Sequence, residues 1–339
     1  MDTGRNTMIP VYEPLFRGNE KKYLQQCIDS GWISSEGYFV RKFEEEFAKW
    51  SGNKYAVAVC NGTAALETAL WSLKIIGQEI YIPVSTIISC LLAVLRTNNS
   101  PYFYESELGC QYVSEIDKPI LRCHLFGHFD SSPAYKIIDD SSQYWKPFKV
   151  KDVACYSLYA NKLITSGEGG ILVTNKKEIY ERARSYRNLC HSKERFIHNE
   201  IGYNFRMSNL QGAVALAQLE QIDKFTEIKQ KNRDLYLKYL PEKVKPLFDV
   251  EVPWMHLIET PFDAGKMVKK LADKGIDCRR FFYPLHKQPC FKGEYEHLNF
   301  PNSDYAWEHW FYLPSGLTLT EKQVKYICLS LKTTLTTIN

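Results

Sequence analysis

The fold of this chain is decided by the stretch SLYANKLITSGEGG, residues 157–170. Apolar residues 153–156 precede it and apolar residues 171–174 follow it, and both runs predict buried strands. Lys162 therefore lies in a connection between two core strands, before a glycine-rich turn. A lysine in such a place can lose its proton and attack a carbonyl group. The alternative interpretation is an ordinary surface lysine in a turn.

Length and composition narrow the class of protein. The 339 residues, 45% of them hydrophobic, are enough for a large core and predict two domains. A net charge of +4, without a basic block, gives no support for binding to nucleic acid or a membrane surface. The ten cysteines have no metal-binding spacing, and no apolar stretch reaches about 18 residues. The polar start, Met1–Arg5, does not resemble a secretory signal, so we expect a cytoplasmic protein without a metal.

The order of predicted elements indicates an α/β fold. Short apolar runs that predict strands lie at residues 55–60, 80–82, 120–123, 136–138, 153–157 and 171–174. Helical patterns separate some of these runs, which is typical of a largely parallel sheet covered on both faces. After residue 174 the pattern becomes helical, with one long helix predicted from Ser208 to about Lys238. We expect a large α/β domain over residues 1–221 and a smaller C-terminal α+β domain over residues 222–339.

A reactive lysine is one of the groups that pyridoxal 5'-phosphate (PLP) requires, together with a phosphate cradle and an acid at the pyridine nitrogen. The turn Asn61-Gly62-Thr63-Ala64 joins a strand to a helix, so its free backbone N–H groups and the helix dipole favour an anion. The Thr63 hydroxyl adds a donor. Ser157 is a second possible hydroxyl donor. A plain strand–helix turn is the alternative interpretation of the first segment.

The candidate acid is Asp140, at the carboxyl end of the strand that precedes Gln143. Open α/β sheets bind ligands at such strand ends, and a carboxylate there would keep the pyridine nitrogen protonated. Asp139 is the rival, and only one of the two can serve because neighbouring strand residues point to opposite faces. A helix-capping pair is the other alternative. Gln143 could hydrogen-bond the phenolic oxygen of the cofactor ring.

These motifs together resemble the DegT/StrS-type PLP-dependent nucleotide-sugar aminotransferases. The similar segments follow one another in order over nearly the whole chain, at residues 8–14, 31–37, 61–66, 139–143, 157–170, 202–211, 280–286 and 313–317. The resemblance implies a fold-type I PLP aminotransferase. Such a protein has a large mixed, mostly parallel sheet domain and a smaller C-terminal α+β domain.

The resemblance also implies roles for single residues. Lys162 would form the Schiff base with PLP and shuttle protons, and Asp140 would pair with the pyridine nitrogen. Four residues would hold the cofactor phosphate: Gly62, Thr63, Ala64 and Ser157. Asn204 would reach across a dimer interface to the phosphate of the neighbouring subunit, so the active site would lie at the interface of a homodimer.

On the substrate side, the resemblance implies that Trp32 and Ser34 line the entrance and that Tyr283 and His286 lie near the sugar. A packed aromatic run is the alternative interpretation of the segment around Tyr283. Ile87 departs from the family pattern, in which an aromatic residue stacks on the PLP ring. The segments 105–122 and 143–154 are also shorter than in the family.

The implied reaction moves an amino group from L-glutamate to C4 of a nucleotide-linked 4-keto-6-deoxyhexose, through pyridoxamine 5'-phosphate. The product would be of the perosamine or viosamine type, and amination at C3 is the near alternative. A related sugar 3-dehydratase is disfavoured because histidine replaces the lysine there. A PLP-fold regulatory protein without turnover is the alternative from another class. The nucleotide and the sugar epimer stay open.

Overall fold

The computed structural model describes residues 8–105, 117–194 and 196–337, so the start Met1–Arg5 and most of the short segment 105–122 lie outside it. A seven-stranded sheet forms its centre. Its strands are β1 Tyr55–Val59, β2 Glu79–Pro83, β3 Ser100–Tyr104, β4 Ile120–Cys123, β5 Ile137–Asp140, β6 Val153–Ser157 and β7 Gly170–Thr174, in the order β1-β7-β6-β5-β4-β2-β3. β7 is antiparallel to β1 and β6, and the other neighbours are parallel. The predicted mixed, mostly parallel sheet is confirmed.

Helices cover both faces of this sheet. They are α1 Glu20–Ser30, α2 Tyr38–Ser51, α3 Gly62–Ser72, α4 Ile88–Arg96, α5 Lys177–Arg187 and α6 Asn209–Leu219. Alternate residues of β1 serve the two faces: Val57 packs with α3, α4 and α5, whereas Ala58 packs with α2 and α6. In the described part of the chain, no helix combines the length and apolar character needed to cross a membrane.

The single long helix predicted from Ser208 to Lys238 is wrong. The structure has two helices there, α6 and α7 Ile222–Tyr239, because Gln221 leaves helical geometry at φ −107° and ψ 5°. The break lets the two helices serve different cores. Leu216 packs under the large sheet, and Tyr236 packs in the core of a second, smaller sheet.

The smaller sheet lies in the C-terminal third. Its strands are β8 Lys245–Pro246, β9 His256–Glu259, β10 Arg279–Arg280 and β11 Trp310–Leu313, in the antiparallel order β10-β11-β9-β8. The accompanying helices are α8 Ala264–Ala272, α9 Pro301–His309 and α10 Glu321–Thr337. Apolar residues of β9 and β11 pack against α8 and α10. The domain boundary after residue 221 falls at the α6–α7 break and stays a prediction.

Candidate active site

A cavity of about 470 Å³ opens at the carboxyl ends of β1, β5 and β6. Six of the residues singled out in the sequence line it: Gly62, Thr63, Ile87, Asp140, Ser157 and Lys162. They meet there because β5 and β6 are parallel neighbours and because Ser157 and Val59 both pair with Gly170. Binding at strand carboxyl ends is the rule for open α/β sheets.

Lys162 is almost fully buried, with 7% of its surface exposed. Burial lowers the pKa of its amine to about 8, although the nearby Asp140 carboxylate acts in the opposite direction. None of the salt bridges among the described residues involves this amine, and the centroid of the Trp254 ring lies 4.4 Å from Nζ. A substantial fraction of the amine is therefore neutral near physiological pH, as a nucleophile requires.

Both carboxylate oxygens of Asp140 are held by donors. The backbone N–H of Ser142 donates to Oδ1 at 3.0 Å, and the Cys90 thiol donates to Oδ2 at 3.2 Å. Asp140 is buried yet lines the cavity. These contacts fix the orientation of the carboxylate. They leave it free to accept a further hydrogen bond from a ligand.

Asp139 points to the other face of the sheet and is completely buried there. Its Oδ1 lies 2.7 Å from Arg122 and 3.2 Å from Nε2 of His124. The structure thus separates the two neighbouring carboxylates, as strand geometry requires. Asp139 belongs to a buried ion pair, and Asp140 belongs to the cavity.

The start of α3 forms an anion cradle. Asn61 Oδ1 accepts a hydrogen bond from the Ala64 N–H at 2.8 Å, which caps the helix and leaves the earlier N–H groups of Gly62 and Thr63 for a ligand. Gly62 has to be glycine, because a β-carbon there would lie 2.8 Å from Cβ of Ser157. This close approach places the Ser157 hydroxyl beside the helix start.

The donor set fits PLP. A buried amine, a fixed carboxylate and a helix N-terminus with two hydroxyls share one cavity, and these correspond to the aldehyde, the pyridine nitrogen and the phosphate of the cofactor. The glycine at position 62 lets the helix start approach Ser157 closely, because a β-carbon there would collide with the Ser157 side chain. Ala64 is buried and its N–H is bonded to Asn61 Oδ1, and its predicted contact with the phosphate stays a prediction.

Gln143 does not line the cavity. Its Oε1 accepts a hydrogen bond from the backbone N–H of Phe126 at 2.9 Å, where the backbone is left-handed with φ +54°. Gln143 therefore fixes a strained turn beside the site. Its predicted contact with the cofactor ring stays a prediction.

The other predicted residues also lie outside the cavity of this chain. Trp32, Ser34 and Asn204 are on the surface, and Trp32 is 57% exposed. The Tyr283 ring packs edge-on against the Trp307 ring, and His286 is buried with neither ring nitrogen hydrogen-bonded to a described residue. Burial lowers the pKa of His286. Their assignments to the interface and the sugar stay predictions.

Sequence reasoning missed an aromatic wall of the cavity. Trp254, Phe282 and Tyr312 line it, and all three come from the segments that build the smaller sheet. Ser89 and Glu168 also line it without having been singled out as site residues. Phe282 lies inside the segment 280–286, which resembles the family, and this resemblance could have identified it as a site residue. Nothing local marks Trp254 or Tyr312, because they reach the site by tertiary packing.

This fold and this donor set define a fold-type I enzyme that uses pyridoxal phosphate. The chain belongs to the DegT/DnrJ/EryC1/StrS aminotransferase family, whose model matches residues 14–130 and 148–332. The protein is thus a PLP-dependent sugar aminotransferase.

Relatives and solved structures agree with this membership. The chain is 36% identical to GDP-perosamine synthase of Escherichia coli O157:H7, over 95% of this chain and 97% of that protein. It is 33% identical to GDP-perosamine synthase of Vibrio cholerae, over 96% and 98%. Helicobacter pylori PseC, an aminotransferase involved in the biosynthesis of pseudoaminic acid, has the same fold, with a TM-score of 0.88, 18% identity and coverage of 98% and 100%.

Proposed function

We propose that the protein transfers the amino group of L-glutamate to C4 of a nucleotide-linked 4-keto-6-deoxyhexose, which gives a perosamine- or viosamine-type product. One observation carries the proposal. The cavity with Lys162 and Asp140 belongs to a chain that is 36% identical to a GDP-perosamine synthase over almost its full length. Amination at C3 is the alternative, because the cavity residues serve either carbon.

Bound PLP supplies an aldehyde for the amino group and a ring that withdraws electrons from the carbon being deprotonated. Lys162 would hold the cofactor through Nζ. Once released, Nζ would take the proton from Cα of glutamate and later deliver a proton to C4 of the sugar. Asp140 would keep the pyridine nitrogen charged. Gly62, Thr63 and Ser157 would bind the phosphate.

The aromatic wall supports a deoxygenated sugar as the substrate. Trp254, Phe282 and Tyr312 present apolar surface to the cavity, which suits a methyl group better than a hydroxymethyl group. The volume of about 470 Å³ is close to that of the smaller ligand pockets of proteins. A cofactor and a hexose would fill it, so the nucleotide would extend towards the surface.

A substrate panel tests the proposed reaction. The protein is incubated with L-glutamate and with UDP-, GDP- and dTDP-linked 3- and 4-ketosugars, and products are identified by mass spectrometry and NMR. We expect an amine at C4 of one 4-keto-6-deoxy sugar, and no product with Lys162→Ala. Amination at C3 alone would select the alternative reaction. If no product formed and L-glutamate left the absorbance of the bound cofactor unchanged, the protein would have no turnover with this donor.

The pKa of Lys162 predicts how fast the protein captures PLP at different pH values. With a pKa of about 8, roughly one amine in ten is neutral at neutral pH, against fewer than about one in a thousand for an ordinary lysine. Only the neutral amine attacks the aldehyde. The capture rate, followed by absorbance after mixing with the cofactor-free protein, should rise with pH and level off above about pH 8. A rate that still climbs towards the ordinary lysine pKa would contradict the prediction.

We also propose a homodimer in which Asn204 of one subunit completes the phosphate site of the other. Asn204 is exposed and does not line the cavity of its own chain. It lies beside two exposed apolar residues, Ile201 at 85% exposure and Tyr203 at 49%. Clusters of exposed apolar residues are typical of surfaces that a partner covers.

Subunit mixing tests this arrangement. Lys162→Ala and Asn204→Asp homodimers should each be nearly inactive at limiting PLP, because aspartate repels the phosphate. Co-expression should form mixed dimers with one intact site, which restores roughly one quarter of wild-type activity. Size-exclusion chromatography with light scattering checks that all samples are dimers. A mixture no more active than its parents would place Asn204 outside the neighbouring site.

A further inference from the structure

Lys229, in α7, is a buried lysine that the reaction above does not use. It is only 1% exposed, and its Nζ donates to the carbonyl oxygen of Trp254 at 2.5 Å, to the carbonyl oxygen of Ser315 at 2.7 Å and to Oγ of Ser315 at 2.6 Å. The amine thus has three acceptors within hydrogen-bond distance, and burial lowers its pKa well below the ordinary lysine value. No carboxylate partner is found for it in the described ranges. Burying a lysine amine costs free energy. Its three hydrogen bonds offset part of that cost, which indicates that the amine has a role in this part of the structure.

Trp254 connects Lys229 to the reactive lysine. Its backbone carbonyl accepts from Lys229, its Nε1 donates to the carbonyl oxygen of Asn161 at 2.8 Å, and its ring centroid lies 4.4 Å from Nζ of Lys162. Tyr12 makes a second connection. Its hydroxyl donates to the carbonyl oxygen of Lys162 at 2.7 Å, and its ring centroid lies 5.2 Å from Nζ of Lys229.

These contacts bring together segments that are far apart in the sequence. The segments 8–14 and 313–317 resemble the family, yet neither lines the cavity. They are joined where the Ser315 N–H donates to the carbonyl oxygen of Val11 at 2.8 Å. We call Tyr12, Lys229, Trp254 and Ser315 the Lys229 clamp. The clamp packs against the loop that carries Lys162. It binds two successive backbone carbonyls of that loop, those of Asn161 and Lys162.

We propose that Lys229 is a positioning residue, which fixes Trp254 so that Trp254 and Tyr12 aim the Lys162 amine at the cofactor aldehyde. This rests on the proposed bond between Lys162 and PLP. In that step, the neutral Nζ adds to the aldehyde carbon, a C=N bond forms, and the carbonyl oxygen leaves as water with both nitrogen protons. Such a step depends steeply on distance, since a misplacement of about 1 Å can cost roughly 10²-fold in rate.

The test compares two quantities: the rate at which Lys162 reacts with PLP, which depends on the position of its amine, and the affinity of the site for the cofactor. Lys229→Met removes the donors but keeps the chain length, and Lys231→Met on the exposed side of α7 is the matched control. Capture of PLP by the cofactor-free protein is followed by stopped-flow absorbance. Affinity for pyridoxamine 5'-phosphate, which lacks the aldehyde, is measured beside it. We expect Lys229→Met to slow capture by about tenfold or more with pyridoxamine phosphate affinity within about twofold.

Two milder variants keep the test informative if Lys229→Met does not fold. Trp254→Phe keeps a ring but loses the bond to Asn161, and Tyr12→Phe loses the bond to Lys162. Tyr12→Phe, outside the cavity, should slow capture several-fold at unchanged pyridoxamine phosphate affinity. Trp254→Phe also alters the cavity wall, so it should slow capture by a larger factor than it weakens pyridoxamine phosphate. Unchanged capture in these variants, or a parallel loss of both measures, would overturn the proposal. If the Lys162→Ala variant captured PLP at the wild-type rate, the proposed role of Lys162 itself would be wrong.

Discussion

Replacing Lys162 with alanine is expected to abolish covalent binding of PLP and to lower kcat by at least about 10⁴-fold. The reason is that, in the proposed mechanism, the same amine anchors the cofactor and moves the proton at the reacting carbons. No other lysine lines the cavity in the described part of the chain, so no neighbour can take over. Single-turnover absorbance with L-glutamate measures the loss directly.

The matched control for this variant is Lys177→Ala, because the Lys177 side chain is 73% exposed at the start of α5. It should retain wild-type turnover. Affinity for pyridoxamine 5'-phosphate should survive in Lys162→Ala, since the phosphate cradle and Asp140 are untouched. A variant that still converted glutamate at a rate near the wild-type rate would refute the assignment of Lys162.

Replacing Asp140 with asparagine is expected to slow deprotonation of glutamate by about 10²–10³-fold while PLP still binds. The amide is almost the same size but cannot stabilise a protonated pyridine nitrogen, so the ring withdraws electrons less strongly. The contacts from Ser142 and Cys90 limit how far the side chain can move. Rapid-reaction absorbance with L-glutamate measures the rate.

Asp139→Asn is the control, because Asp139 is the chain neighbour on the opposite face. Its carboxylate neutralises Arg122 in a buried pair, so the variant should lose about 3–5 kcal/mol of unfolding free energy. The rate per folded molecule should change little. Denaturant unfolding and rapid kinetics together separate the two effects. If Asp139→Asn slowed the chemistry and Asp140→Asn did not, the two roles would be exchanged.

The part of the site that lies at strand ends was predictable from local sequence. Asp140, Ser157 and Lys162 each stand at, or just after, the carboxyl end of an apolar run, and parallel pairing brings such ends to one edge. Gly62 and Thr63 open the helix that follows β1, and their backbone groups point to the same edge. Periodicity and turn residues are enough to locate these features.

The rest depends on packing that no local pattern encodes. Trp254 and Tyr312 reach the cavity from the smaller sheet, and Lys229 looks like one more charged residue of an amphipathic helix until its three acceptors are known. The helix break at Gln221 is also tertiary, because the flanking residues favour helix. Trp32, Ser34 and Asn204 are exposed and do not line the cavity, and the role predicted for Asn204 depends on a partner subunit.

The central claim is that Lys162 carries the cofactor, and one measurement tests it most directly. The holoenzyme is reduced with borohydride, which makes the bond between a lysine and PLP permanent, and the digested protein is mapped by mass spectrometry. Lys162 and Lys229 are the two buried lysines of the described chain, so both peptides must be recovered. We expect the phosphopyridoxyl group on Lys162 alone. Finding the group on Lys229 or on any other lysine would contradict the claim that Lys162 carries the cofactor. Finding no modified lysine would contradict it as well.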